Sequence, residues 1–184
     1  MNSWFNLTTF DVKSPEDIVN SFSYDDMVSN SFRVHEIMRE EIRILRGNSK
    51  KLFVAGYSQG CIMQFYCDLT FDETIGGLIG LSGYFMPTIQ ENEANSRIPI
   101  FLYHGKIDQL INFELAKRIY EEKLDNNTHN IEKVFEDGQD HEVSDNGKLK
   151  ELEWFINQTN QTSFTIIIKP MFSFIFSILL VVLA

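Results

Sequence analysis

The chain of 184 residues carries 26 acidic against 16 basic side chains, a formal net charge of −10 with a pI near 4.8. That balance argues against a nucleic-acid partner and against electrostatic binding to an anionic lipid surface. The length suits one domain with a proper core, and the two cysteines, Cys61 and Cys67, lie on different faces of one expected helix. They fit neither a local disulfide nor a zinc spacing, so they read as core residues in a reducing, cytoplasmic compartment. Met1 to Phe10 has no basic or apolar region of the signal-peptide kind, and none is expected.

In chain order, Trp4 and Phe5 resemble the end of a strand, and Ser14-Pro15 reads as a turn. From Asp25 to Arg46, the residues Val28, Phe32, Met38, Ile42 and Leu45 recur in steps suited to an amphipathic helix, which Gly47-Asn48 stops. His35 falls near that stripe and reads as a packed histidine. Leu52 to Ala55 is a buried strand, and Cys61 to Leu69 a helix apolar on nearly all sides. Gly77 to Leu81 and Ile98 to Tyr103 are further strands. Asn112 caps a helix to Leu124, and Asn130 to Glu136 is a fourth strand. A last helix with Leu149, Leu152 and Ile156 on its apolar face ends near Gln158.

Strands alternating with helix-length crossovers predict an α/β fold, a mostly parallel sheet with helices on both faces. In such sheets functional residues gather at the carboxyl ends of the strands. Between the first strand and its helix lies Gly56-Tyr57-Ser58-Gln59-Gly60, the Gly-x-Ser-x-Gly pattern of a nucleophile elbow. The sharp turn exposes the serine hydroxyl, and the start of the following helix aims free amides at the attacked oxygen. The backbone N–H of Gln59 is the expected oxyanion donor. Asp108 follows the third strand and His141 the fourth, so Ser58, Asp108 and His141 meet at one sheet edge in the chain order Ser, Asp, His. His141 is the expected base and Asp108 its orienting acid. His104 ends a strand before the acid and reads as a packing or turn residue. There is no phosphate-binding glycine loop and no His/Cys cluster, so no metal, nucleotide or flavin cofactor is expected.

Ser3-Trp4-Phe5-Asn6, Gly56-Tyr57-Ser58-Gln59-Gly60, Gly80-Leu81-Ser82-Gly83-Tyr84, His104-Gly105-Lys106-Ile107-Asp108 and His141 together resemble the phospholipase/carboxylesterase family that includes the acyl-protein thioesterases. The resemblance spans residues 1–158 and implies an α/β hydrolase that cleaves acyl esters or thioesters of proteins, lysophospholipids or small carboxylesters. It implies Ser58 as nucleophile, Asp108 as acid and His141 as base. Trp4, Phe5, Tyr84, Phe85 and Met86 are candidates to line an acyl groove, with plain core as the other reading.

The chain departs from the family pattern at Cys61, where a second glycine is usual, and at Lys106, where an aspartate is common. Family members also carry strands before the Trp-Phe segment, with a His-Gly-x-Gly type loop whose backbone supplies a second oxyanion donor. The expectation is therefore an amino-terminally truncated fold with the edge beside the Ser58 strand unpaired. Such a chain is an ester hydrolase, an inactive hydrolase-like binding protein or an incomplete piece. Residues 159–184 form a polar linker and an apolar tail, in which Met171 to Ala184 carries no charge. That tail reads either as a membrane anchor or as an end with no place in the fold. Nothing in the sequence fixes the oligomeric state.

Overall fold

In the computed structural model, residues 3–9, 11–90, 92–124, 129–159, 166–170 and 178–183 are described, the last two segments as backbone. Ser14 caps helix α1 (Pro15–Ser21), its hydroxyl accepting from the Asp17 N–H at 3.1 Å. Proline at the first helical position forfeits no hydrogen bond, so the expected turn is a helix start. The Trp4-Phe5 segment is buried but lies outside the sheet, and only Leu7 makes an isolated bridge, to Phe22.

Helix α2 (Tyr24–Ile44) begins at the Ser23 cap. Its buried stripe is Met27, Val34, Met38 and Ile42. Phe32, expected on that stripe, is 66% exposed. His35 packs as expected, with Nε2 2.8 Å from the Cys67 carbonyl and its ring against Phe71.

Four parallel strands follow, with an α-helix after each except β2: β1 (Leu52–Tyr57), α3 (Gln59–Thr70), β2 (Gly77–Leu81), β3 (Ile100–Gly105), α4 (Phe113–Lys123), β4 (Ile131–Glu136) and α5 (Asp145–Thr159). Alternate residues of each strand serve opposite faces. Leu52, Val54, Leu78, Ile100 and Leu102 join the core built with α1 to α4. Phe53, Ala55, Ile79, Phe101 and Tyr103 pack with Trp154 and Phe155 of α5. Fully burying one such phenylalanine stabilises by about 1.5–3 kcal/mol, which favours α5 lying with Trp154 and Phe155 inward. Leu149, Leu152 and Ile156, expected to face the core, are 52%, 43% and 39% exposed.

The tail adds two strands, β5 (Ile166–Pro170) and β6 (Ile178–Leu183), giving the order β4-β3-β2-β1-β6-β5. β6 pairs antiparallel with β1 from Leu52 opposite Val182 to Gly56 opposite Ile178, and β5 pairs antiparallel with β6. The edge expected to be open is therefore paired. The physical reason is that β1 presents backbone N–H and C=O groups that need partners, and the aliphatic run Ile178-Leu179-Leu180-Val181-Val182-Leu183 is a good strand former. Among the described residues no helix is long and apolar enough to cross a membrane.

Candidate active site

Gly56 lies one residue before the end of β1, where a β-carbon would meet the Gly60 carbonyl oxygen and the Gln64 Oε1 at 2.5 Å each. The approach forces the chain to reverse within the next two residues. Ser58 takes φ 55° and ψ −122°, a conformation costing a non-glycine residue on the order of 1–3 kcal/mol. The surroundings hold it there. Its N–H donates to the Leu81 carbonyl at 2.9 Å, and its own carbonyl accepts from Cys61 and Ile62 at 3.0 and 3.3 Å. The Cys61 and Ile62 amides are thereby used, whereas no described residue accepts from the Gln59 N–H at the head of α3. The positive end of the helix points there. The Gln59 side chain plays a separate part, in which its Oε1 accepts from the Trp4 N–H and its Nε2 donates to the Phe5 carbonyl, both at 2.9 Å. The elbow thus holds the amino-terminal segment in place.

The three residues expected at the sheet edge come together. His141 Nε2 lies 2.9 Å from Ser58 Oγ, and His141 Nδ1 lies 2.7 Å from Asp108 Oδ2. Asp108 Oδ1 accepts from the Leu110 and Ile111 N–H groups at 2.8 Å each. Its side chain is fully buried, as is that of His104, whose Nε2 lies 3.2 Å from Asp108 Oδ2 and 3.0 Å from the Ile111 carbonyl. Both neighbours of that nitrogen are acceptors, so it carries the proton. Burial pushes the Asp108 carboxyl up, but hydrogen bonds from His104, His141 and the Ile111 N–H outweigh it and hold the group well below the usual carboxylate range. The sequence reading missed His104 as a neighbour of Asp108. The signal was its place four residues before the acid, at the end of the strand that feeds the acid loop.

The loops carrying Asp108 and His141 are tied to each other. Asp140 Oδ1 accepts from the Gln109 and His141 N–H groups at 2.9 and 2.8 Å, and the Ile107 N–H donates to the Gln139 carbonyl. Gly105 lets the two loops approach, because a β-carbon there would strike the carbonyl oxygens of Gln139 and Asp140. Lys106, the departure from the family pattern, pairs with Asp137 at 2.9 Å. The Tyr57 hydroxyl donates to the His141 carbonyl at 3.3 Å. Burial first, then the charges of Asp108, Glu142 and Asp140, push that phenol up to about 12, so it stays a neutral donor. Burial also pushes the Cys61 thiol up to about 12, which removes it as a rival nucleophile near Ser58.

Beside Ser58 and Gln59 lies a narrow cleft of about 10 Å³, lined also by Leu7, Thr9, Phe22, Ile62, Tyr84 and Ile111. Of the five residues proposed for an acyl groove only Tyr84 lines it. Trp4, Phe5, Phe85 and Met86 are buried in the core instead, the other reading of those positions. Leu7, Phe22, Ile62 and Ile111 come from four separate segments, and no local pattern groups them.

A mostly parallel sheet with helices on both faces, a strained serine between β1 and α3, and an acid and a histidine after later strands define an α/β hydrolase. The chain belongs to the phospholipase/carboxylesterase family, whose model matches residues 1–160. It is 28% identical over 122 residues to acyl-protein thioesterase 1 of Yarrowia lipolytica, an alignment covering 64% of this chain and 51% of that protein. It is 26% identical over 121 residues to acyl-protein thioesterase 1 homolog 1 of Dictyostelium discoideum, covering 64% and 50%. The chain spans about half the length of the curated relatives it matches. Among solved structures, Arabidopsis thaliana SOBER1 superposes with a TM-score of 0.72 at 28% identity, covering 88% of this chain and 75% of that one. Zea mays acyl-protein thioesterase 2, at 16% identity and TM-score 0.61 with 85% and 72% coverage, shares the fold.

Proposed function

We propose that this chain belongs to a serine hydrolase that cleaves acyl esters or thioesters, with Ser58 as nucleophile, His141 as general base and acid, Asp108 as its orienting carboxylate and the Gln59 N–H as an oxyanion donor. The single observation that carries this reading is the unbroken line from Ser58 Oγ through the two ring nitrogens of His141 to Asp108. In the first half-reaction Ser58 Oγ forms a bond to the acyl carbon while its proton passes to His141 Nε2. The carbonyl oxygen takes the negative charge and lies at the head of α3. The bond from carbon to the leaving sulfur or oxygen then breaks, and His141 returns the proton to the leaving group. Water repeats the sequence on the acyl-serine and frees the acid. Asp108 fixes the tautomer with the proton on Nδ1 and stabilises the imidazolium without itself taking a proton.

The acyl-protein thioesterase relatives favour an acylated protein thioester as substrate, with lysophospholipids and small carboxylesters as further acyl donors. The apolar residues of the cleft suit an acyl chain, and a cleft of this width must open to admit one. Residues 1–158 would form the hydrolase unit, and the buried free thiols Cys61 and Cys67 suit a cytoplasmic setting. The test is release of thiol from an S-acyl peptide and of nitrophenol from nitrophenyl esters. The reading predicts turnover that Ser58→Ala and His141→Ala each reduce by at least about 10³-fold. Turnover unchanged in Ser58→Ala would overturn it.

A further inference from the structure

At the amino ends of β1, β2 and β3, opposite the end that carries Ser58, lies a second cavity of about 370 Å³. The chain runs into the three strands through residues 50–51, 74–76 and 97–99, and these lead-in turns form its walls. Lys50, Lys51 and Arg97 line it, with Phe53, Ile98 and Pro99 among its apolar residues, and no carboxylate of the described residues does. That is a marked concentration of positive charge in a chain of net charge −10. None of the three cations pairs with a carboxylate among the described residues.

Two features make this more than a basic surface. First, the walls are fixed before any ligand arrives. The buried Asn95 amide donates to the Phe71 and Glu73 carbonyls at 2.9 and 3.1 Å and accepts from the Ile75 N–H at 3.1 Å. Ser49 Oγ donates to the Thr74 carbonyl, and Thr74 Oγ1 to that of Ala94, at 2.7 and 2.8 Å. Second, the positive charge exceeds what the fold needs. Helix α5 ends here, at Gln158 and Thr159, and the negative end of a helix amounts to about half an elementary charge. Three full positive charges leave a surplus of more than two, close to the charge of a phosphomonoester near neutral pH.

We propose that this cavity binds a phosphomonoester, its dianionic head held by Lys50, Lys51 and Arg97 and its organic body lying along Pro99. The guanidinium grips two phosphate oxygens in a fork while the ammonium groups act as point charges. A soluble organic phosphate and the phosphate head of a lipid share this chemistry. The proposal does not depend on the activity assigned to Ser58.

The experiment uses the full chain and three probes: phenyl phosphate, inorganic phosphate and phosphatidylcholine vesicles doped with phosphatidic acid. Binding is followed by thermal shift and titration calorimetry for the first two and by cosedimentation for the vesicles. Wild type and Ser58→Ala are expected to bind phenyl phosphate alike and more tightly than inorganic phosphate. Lys51→Gln/Arg97→Gln should weaken that binding at least about tenfold, and added salt should weaken it further. Cosedimentation lost in the same double variant assigns a lipid headgroup, and saturable phenyl phosphate binding without cosedimentation assigns a soluble ester. Unchanged melting and circular dichroism of the variant without ligand show that the fold is intact. No saturable binding of any probe up to about 10 mM phosphate, or binding that the double variant leaves unchanged, overturns the proposal.

Discussion

Asp108 accepts hydrogen bonds from His141, Leu110 and Ile111, and the protonated His104 Nε2 lies 3.2 Å from its Oδ2. A carboxylate so served is lowered in the folded state, so it contributes stability above its unfolded value of about 4 and loses that contribution as the pH falls through and below it. Asp108→Asn should therefore cost on the order of 2 kcal/mol at pH 7, and the gap between wild type and variant should narrow from about pH 4 downward. Urea unfolding across that range checks it; a gap that widens in acid would show the carboxyl to be raised. His104 is a positioning residue, acting on His141 only through Asp108. His104→Phe keeps a ring in the core and removes the donor. It should slow ester turnover about tenfold with little change in KM, because the Asp108 carboxylate is then held less firmly against His141. A purely structural role would lower the amount of folded enzyme and leave kcat per labelled active site unchanged.

At the scale of elements, much of the architecture is legible in the chain. Leu52 to Ala55, Gly77 to Leu81 and Ile98 to Tyr103 are short apolar runs bounded by turn residues, and each holds a strand, the third starting at Ile100. What local pattern does not resolve is which of two overlapping stripes a helix buries. On α2, Phe32 keeps helical spacing as well as Met27 and Val34 do, yet it faces away from the core while Val28 packs partly against it, and only the packing partner α3 decides between them. On α5, Leu149, Leu152 and Ile156 form a regular stripe, yet the adjacent pair Trp154 and Phe155 has larger rings and wins the sheet face. The hairpin of β5 and β6 was equally hidden, since an aliphatic tail looks the same whether it meets lipid or a sheet edge more than a hundred residues away. Removing residues 160–184 bares the β1 edge, and the shortened chain should elute from size exclusion as soluble aggregate. A monodisperse monomer of unchanged melting temperature would show that β6 contributes nothing to the fold.

For the whole molecule, the order Ser58, Asp108, His141 along the chain was enough to bring three distant residues to one place, because the loops that leave the strands of a parallel sheet all emerge at a common edge. The contribution of His104 was signalled only by its place four residues before the acid, and the separate roles of the Gln59 amide and side chain were not legible, since they depend on distances that only the folded segments set. The decisive measurement for the Ser58–His141–Asp108 relay is labelling of the purified full chain with a fluorophosphonate probe, with Ser58→Ala and His141→Ala as controls. A working relay predicts one label per chain on Ser58, absent from both variants. A folded wild-type chain that takes no label, or label that persists in Ser58→Ala, would contradict it.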